Sequence, residues 1–268
     1  MATVAEWIEG ARPRTLPAAV APVVAGAGVS AFTGSDLTLP SALLNATLAL
    51  LVSLALQVGV NYFNDYHDGV RGTDEVRVGP VRLVGQRLTA PSNVKRAAIL
   101  SLVLAAVIGL VLVILSRAWV LLPVGAAAIL AAWGYTGGSR PYGYSGLGEL
   151  FVFVFFGPVA VCGTTLVTGG DVWPLSVLVS LAIGLLTVAI LVVNNLRDLP
   201  LDEQAGKHTM AVRLGDQKTR TFFAFTLMAA FVLVTWIALT STWWALLGMV
   251  GAAPAVAAAQ DVLEHAYG

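Results

Sequence analysis

Two short stretches of this sequence place asparagine and aspartate side chains at helical spacing, each directly after a long apolar segment. We call residues 61–74 the first acidic patch and residues 194–202 the second. Both contain the pattern Asn-x-x-x-Asp, which ends at Asp65 in the first patch and at Asp198 in the second. Residues four apart in a helix lie on one face, with about 5–6 Å between their Cβ atoms. We therefore expect each patch to present an amide and a carboxylate side by side.

These side chains are the oxygen ligands that suit Mg²⁺. Asp68 and Asp202 extend the two faces by a further turn. Mg²⁺ typically bridges protein carboxylates to the phosphate groups of a substrate, and no His or Cys set has the spacing of a zinc site. Two such patches facing each other across a bundle would suit two Mg²⁺ ions around a diphosphate leaving group. Basic residues that could donate hydrogen bonds to its oxygens are Arg71, Arg77, Arg140, Lys207 and Arg213.

The elements that must position these side chains are membrane-spanning helices. The chain has 268 residues, of which 57% are hydrophobic and 11% charged, and its mean hydropathy is +0.83. This composition leaves too little polar surface to solvate a water-soluble globule. A helix needs about 20 predominantly apolar residues to cross the hydrocarbon core. Eight stretches of this kind predict an all-α, polytopic transmembrane helical bundle: 16–33, 41–62, 97–116, 118–135, 147–168, 173–194, 221–240 and 243–259.

The basic residues predict how the bundle is oriented. If the spans alternate in direction, fourteen of the 15 Lys and Arg residues fall on one side of the membrane and only Arg117 falls on the other. Loops rich in Lys and Arg stay in the cytoplasm. We therefore expect the N-terminus and both acidic patches to face the cytoplasm.

The two acidic patches also suggest an internal duplication. Asp65 and Asp198 are separated by four predicted spans, and each patch is followed by an Arg-hydrophobic-Gly element, Arg77-Val-Gly79 or Arg213-Leu-Gly215. Similar elements at a fixed interval are typical of repeated units. The sequence thus predicts one membrane domain over residues 1–268, built from two four-helix units of about 1–140 and 141–268.

Several motifs, in order along almost the whole chain, are similar to those of a known family. They are Gly10-Ala-Arg12-Pro-Arg14-Thr-Leu16-Pro17; Asn64-Asp65-Tyr-x-Asp68-Gly-x-Arg71-Gly-Thr-Asp74 with Arg77-Val-Gly-Pro80-x-Arg82-Leu83; and Asn194-Asn-Leu-Arg197-Asp198 with Gly206-Lys207-x-Thr209 and Val212-Arg213-Leu214-Gly215. On these residues the chain resembles the UbiA-type membrane prenyltransferases, and within them the 1,4-dihydroxy-2-naphthoate polyprenyltransferases of menaquinone synthesis.

The resemblance implies a fold, a location and a reaction. The fold is a helical bundle, usually of nine spans rather than eight, in the bacterial cell membrane. Its cavity opens toward the cytoplasm and has a lateral opening for a lipid tail. Ionisation of a polyprenyl diphosphate gives an allylic carbocation, which attacks the 1,4-dihydroxy-2-naphthoate ring. The ring loses its carboxylate, and the product is demethylmenaquinone.

The resemblance also implies roles for individual residues. The carboxylates at the centre of catalysis would be Asp65, Asp68, Asp198 and Asp202. One Mg²⁺ would bind Asn61, Asp65 and Asp68, and the other Asn194, Asp198 and Asp202. Arg140 lies where the family has a basic residue after a Tyr-Thr pair, here Tyr135-Thr136, and both Tyr135 and Arg140 would contact the diphosphate. The first patch spaces its acids by three residues where many relatives space them by four, so Asn64, Asp68 and Asp74 remain alternatives for its third ligand.

Two alternatives to this reaction follow from the same residues. A prenyltransferase acting on 4-hydroxybenzoate or on a chlorophyllide-like ring would need the same acidic patches. A secondary transporter would account for a repeated unit with ionisable residues in the membrane. However, the acids lie at the cytoplasmic ends of spans that are not visibly broken midway, which disfavours transport.

Overall fold

The computed structural model describes residues 2–35, 37–72 and 81–264, and every regular element in these ranges is helical. The α-helices are α1 (Val4–Gly10), α2 (Leu16–Thr33), α3 (Leu39–Val70), α4 (Pro91–Ser116), α5 (Leu121–Gly134), α6 (Gly148–Val154), α7 (Ala160–Gly169), α8 (Pro174–Gln204), α9 (Met210–Leu214), α10 (Asp216–Thr240) and α11 (Ala252–Glu264). A π-helical turn, Phe155–Val159, joins α6 to α7, and 3-10 helices cover Pro13–Thr15, Tyr142–Ser145 and Trp243–Gly251.

The helices confirm the predicted membrane bundle, although one of the predicted spans forms a shorter helix than expected. Seven helical segments of the described chain are long and apolar enough to cross a membrane: Val4–Thr33, Leu39–Val70, Pro91–Ser116, Gly148–Gly169, Pro174–Gln204, Asp216–Thr240 and Trp243–Glu264. The remaining predicted span, 118–135, is helical only in α5, whose 14 residues rise about 21 Å. A turn at Arg117, which has a positive φ of 55°, delays its start. The chain is therefore a multi-pass membrane protein, and its described residues form seven long spans together with the shorter apolar helix α5.

The two longest helices carry the acidic patches. α3 has 32 residues and α8 has 31, so each is about 46–48 Å long at 1.5 Å per residue. That length exceeds the roughly 30 Å of the hydrocarbon core. Proline in the first turn of each helix costs no hydrogen bond, because the N–H groups there have no helical partner. Residues 61–70 of the first patch and the whole of the second patch lie in the last turns, which reach beyond the apolar part of each helix.

Small residues allow the helices to pack closely. A Cβ atom on Gly26 of α2 would lie 2.5 Å from the carbonyl oxygen of Val161 in α7. A Cβ atom on Gly157 would lie 2.6 Å from the carbonyl oxygen of Ser180 in α8. Membrane helices pack through small residues in this way because apolar lipid provides no hydrophobic driving force between them.

The loops predicted to lie on one side of the membrane meet at one end of the bundle. Asn61 Nδ2 donates to the Ala11 carbonyl oxygen at 2.8 Å, which joins α3 to the N-terminal segment. The backbone N–H of His208 donates to the Tyr144 carbonyl oxygen at 2.8 Å, which joins the loop after α8 to the loop before α6. At the other end, Ser35 Oγ donates to the Thr168 carbonyl oxygen at 3.0 Å. The alternation of the spans therefore brings the basic loops and both acidic patches together.

Candidate active site

A cavity of about 1100 Å³ runs through the bundle from the end where the acidic patches meet. Its polar end is lined by Asn64, Asp68, Asn194, Asp198, Asp202 and Lys207. Along α3 the lining continues from Asp68 to Ala49, a rise of about 28 Å. The walls of this long part are mainly Ala, Val, Leu and Phe side chains. The cavity thus joins a charged head region to a narrow apolar channel.

The two acidic patches are joined through the side chain of Lys207. Its Nζ lies 3.3 Å from Asp68 Oδ1 in the first patch and 3.6 Å from Asp202 Oδ1 in the second. All three side chains are at most 6% exposed. Carboxylates from the two patches therefore converge on one ammonium group, and the predicted binding of two Mg²⁺ ions by the patches stays a prediction. Lys207, predicted as a diphosphate contact, lies between them.

Tyr144 completes this centre from the loop before α6. Its hydroxyl group donates to Asp68 Oδ1, and Lys207 Nζ lies 4.6 Å from the centroid of its ring. Burial and the nearby Asp68 carboxylate raise the pKa of the Tyr144 phenol well above its usual range. The phenol therefore remains a hydrogen-bond donor at neutral pH. The sequence analysis missed Tyr144, because nothing in its local pattern distinguishes it from the other tyrosines of that loop.

The second patch reaches the cavity with both of its carboxylates. Asp198 is 5% exposed and lines the cavity. It accepts two hydrogen bonds from the neighbouring Arg197, at 2.8 Å from Nε and 3.0 Å from the terminal nitrogen. Asn194 lies one turn before Asp198 and also lines the cavity, as does Asn195. The helical spacing of Asn194, Asp198 and Asp202 therefore holds as predicted.

In the first patch, Asp65 makes a different contact. Asp65 is 1% exposed, and its carboxylate accepts hydrogen bonds from the backbone N–H groups of Leu83 at 2.7 Å and Val84 at 3.2 Å. It is not among the residues that line the cavity. Asn61 lines the cavity, but its amide nitrogen donates to the Ala11 carbonyl oxygen. The role of Asp65 in metal binding stays a prediction, and the structure assigns its carboxylate to the loop before α4.

Asn64 and Arg71 of the same patch contact the loop after α5. Asn64 Oδ1 accepts from the Thr136 hydroxyl at 3.0 Å. The Arg71 guanidinium donates to the carbonyl oxygens of Thr136 at 2.6 Å and Gly138 at 2.8 Å. Arg71 does not line the cavity. These contacts fasten the loop that carries Tyr144 to the end of α3.

The other predicted diphosphate contacts differ in position. Tyr135 lines the cavity and packs edge-on against Tyr142, with ring centroids 5.5 Å apart. Arg140 is exposed and Arg213 donates to the His208 carbonyl oxygen at 3.2 Å; neither lines the cavity. Arg77 and Asp74 lie outside the described residues. Arg12, which belongs to the N-terminal motif and was not predicted as a diphosphate contact, does line the polar end.

The side chains at the polar end fit a divalent cation of the Mg²⁺ type. Within the described ranges, no three His, Cys, Asp or Glu side chains lie close enough to form a complete metal site by themselves. Mg²⁺ does not require one, since it binds through one or two carboxylates and completes its coordination with water and substrate phosphate. The Lys207 ammonium already occupies a position between Asp68 and Asp202. The same oxygens can therefore accept a cation.

Three comparisons with known proteins agree with this geometry. The model of the UbiA prenyltransferase family matches residues 19–266. A Mycobacterium tuberculosis protein named 1,4-dihydroxy-2-naphthoate octaprenyltransferase is 52% identical over 262 residues, which are 98% of this chain and 87% of that protein. An Escherichia coli protein of the same name is 38% identical over 232 residues, 84% of this chain and 74% of that protein. The solved structure of a UbiA homolog from Archaeoglobus fulgidus bound to GPP and Mg²⁺ has a TM-score of 0.65 and 14% identity, covering 88% of this chain and 78% of that one. It supports the fold.

Proposed function

Because the chain belongs to the UbiA prenyltransferase family, we propose that it transfers a polyprenyl group from polyprenyl diphosphate to 1,4-dihydroxy-2-naphthoate. The carboxylate of the acceptor leaves as CO₂, and the product is the reduced, quinol form of demethylmenaquinone. The names of the M. tuberculosis and E. coli relatives support this acceptor. The observation that carries the proposal is the cavity, which extends about 28 Å along α3: its charged end suits a diphosphate and its apolar part suits a polyprenyl tail.

We assign Mg²⁺ binding to the oxygen donors at the polar end. Two ions, one beside each patch, would be held by Asn64, Asp68, Asn194, Asp198 and Asp202, all of which line the cavity. When bound, Mg²⁺ neutralises the negative charge that develops on the diphosphate as the carbon–oxygen bond breaks. Asn61 and Asp65 of the predicted set would then support the site, since their side chains contact the backbone.

The residues of the chain bind the donor and protect the reacting carbon. Lys207 and Arg12 bring positive charge to the polar end, where they can donate charge-assisted hydrogen bonds to phosphate oxygens. Tyr135 and Phe151 line the adjoining wall with aromatic rings. Aromatic faces stabilise a nearby cation and exclude water that would otherwise capture it. The electron pair of the broken bond leaves with diphosphate, a ring carbon of the acceptor forms the new bond, and loss of CO₂ restores the aromatic ring.

We also propose that the protein lies in the bacterial inner membrane with its N-terminus and the polar end of the cavity in the cytoplasm. The basic loops meet at this end, and positive-inside orientation favours it.

An assay with membranes tests the proposed reaction. Radiolabelled polyprenyl diphosphate, 1,4-dihydroxy-2-naphthoate and Mg²⁺ are expected to yield a prenylated naphthoquinol, and chelation by EDTA to abolish it. Asp198→Ala is expected to lower turnover at least about 100-fold while the melting temperature stays close to that of the wild type. No labelled product from wild-type membranes would refute the proposal.

Two variants, Asp65→Ala and Asp198→Ala, distinguish a predicted carboxylate that stabilises the fold from one that binds metal. Asp65→Ala leaves the N–H groups of Leu83 and Val84 without their acceptor, which costs about 1–3 kcal/mol for each. We therefore expect Asp65→Ala, unlike Asp198→Ala, to lower the melting temperature in EDTA. Competition with 4-hydroxybenzoate in the same assay tests the alternative acceptor.

A further inference from the structure

Glu149 is a buried acid that the proposed reaction has not used. It lies in the first turn of α6 and is 4% exposed. Its Oε1 accepts a hydrogen bond from Asn195 Nδ2 at 2.9 Å. Its Oε2 is buried without a hydrogen-bond partner in the described part of the chain. An unpaired buried carboxylate oxygen is costly, so a purely structural tie between α6 and α8 would be better made by a neutral residue.

Glu149 determines how the Asn195 amide is oriented. Because Asn195 Nδ2 donates to Glu149 Oε1, the NH₂ group of Asn195 faces Glu149. The amide oxygen of Asn195 then points away from Glu149. Asn195 lines the cavity. The pair therefore places a hydrogen-bond acceptor of fixed orientation in the cavity wall.

The position of Asn195 matches the place of the acceptor ring. Asn195 directly follows Asn194 on α8 and precedes Asp198 by three residues, so it lies at the level of the proposed metal ligands. The reacting carbon of the donor is attached directly to the diphosphate, so the ring that attacks it must lie close to these ligands. Tyr135 and Phe151 also line the cavity.

We propose that the Asn195 amide oxygen accepts a hydrogen bond from a ring hydroxyl group of the aromatic acceptor, and that Glu149 is the positioning residue that holds the amide in this orientation. The inference rests on the proposed function. A hydroxyl group that donates to this oxygen leaves the ring richer in electrons and so more reactive toward an allylic cation. The partial negative charge on the Asn195 amide oxygen also repels the carboxylate of the acceptor. The site therefore favours an orientation in which a hydroxyl group of the acceptor faces Asn195. Sites built to bind a hydroxyl group reject analogues that lack it.

Binding measurements on purified protein test this pairing without turnover. The probes are 1,4-dihydroxy-2-naphthoate, 1-hydroxy-2-naphthoate and 4-hydroxy-2-naphthoate, with dissociation constants from quenching of tryptophan fluorescence. We expect the wild type to bind one of the two monohydroxy analogues at least about tenfold more weakly than the diol. Asn195→Leu should reduce that ratio to near one, because it weakens binding of the diol and of the analogue that keeps the bonded hydroxyl group but not of the analogue that lacks it. Asn195→Ser should reduce the ratio in the same direction. The affinity for polyprenyl diphosphate should change less than about twofold.

The Glu149 variants distinguish positioning from packing. Glu149→Leu should act like Asn195→Leu, because the amide loses its anchor. Glu149→Gln should retain most of the wild-type ratio, because its side-chain oxygen can still accept from Asn195 Nδ2. The control is Asn45→Leu, which removes a similar interhelical bond, from Asn45 Nδ2 to the Val167 carbonyl oxygen at 2.7 Å. Asn45 itself does not line the cavity. It should lower the melting temperature without changing the ratio.

Two results would overturn the inference. One is an unchanged preference for the diol in both Asn195 variants. The other is equal loss of affinity for the diol and both monohydroxy analogues in every folded variant. Failure of the proposed function is a separate outcome, since it appears as absence of product from the wild-type enzyme while the binding ratios are still measured.

Discussion

Lys207 is the residue on which the charge balance of the site depends. Its ammonium group lies between a carboxylate from each patch, and both ion pairs are nearly inaccessible to water. Two buried carboxylates so close together repel each other strongly unless a cation lies between them. Lys207 therefore acts as an internal counter-ion for Asp68 and Asp202 when no metal is bound.

Replacing Lys207 tests this role. Lys207→Met removes the ammonium group from its ion pairs with two buried carboxylates, and breaking a buried ion pair typically costs about 3–5 kcal/mol. In EDTA we expect a marked fall in melting temperature. Added Mg²⁺ should raise the melting temperature of the variant more than that of the wild type, because the ion no longer competes with an ammonium group. The exposed Lys218→Met serves as the control, and a Lys207→Met protein as stable as the wild type in EDTA would contradict the argument.

The packing of whole helices depends on a few glycines, and α2 offers a matched pair. Gly26→Ala would bring a Cβ atom to 2.5 Å from the Val161 carbonyl oxygen, whereas a Cβ atom on Gly28 has no neighbour within 4 Å. Overpacking of this kind costs about 1–3 kcal/mol. We expect Gly26→Ala to lower the melting temperature in detergent and Gly28→Ala to leave it unchanged or raise it slightly. Equal melting temperatures for the two variants would show that α2 and α7 can separate at little cost.

Some parts of the helices and of the site could be predicted from the sequence, for physical reasons. The apolar stretches that form α3 and α8 follow from hydropathy alone, and the placement of Asn194, Asp198 and Asp202 follows from helical spacing. Contacts between segments that are distant in the sequence could not be predicted, because no local sequence pattern indicates them.

The residues whose contacts differ from the predictions pair with such segments. Asp65 accepts from Leu83 and Val84, 18 and 19 residues away, and Arg71 donates to Thr136, 65 residues away. Spacing within the first patch predicts neither partner, because both belong to loops that reach α3 only in the folded bundle. The pairing of Glu149 with Asn195 across 46 residues is of the same kind. An acid at the start of an apolar span was the one visible sign of it.

At the scale of the whole molecule, the orientation of the bundle in the membrane determines on which side both the basic loops and the reaction lie. The polar end of the cavity lies among these loops, so a cytoplasmic location for the loops places diphosphate binding there as well. The single cysteine, Cys162 in α7, is partly buried. Once Cys162 has been replaced by Ala, a single cysteine introduced into a loop can show on which side of the membrane that loop lies.

Ser139 and Asp171 are suitable sites, because both are exposed and they lie in loops at opposite ends of the bundle. We expect a membrane-impermeant maleimide to label Asp171→Cys in intact spheroplasts, and to label Ser139→Cys only after the membrane is permeabilised. The physical reason is the charge asymmetry, since Arg117 is the only basic residue predicted on the side of Asp171. The reverse labelling pattern would place the catalytic end outside the cell, and the positive-inside argument would then fail together with the proposed site of diphosphate binding.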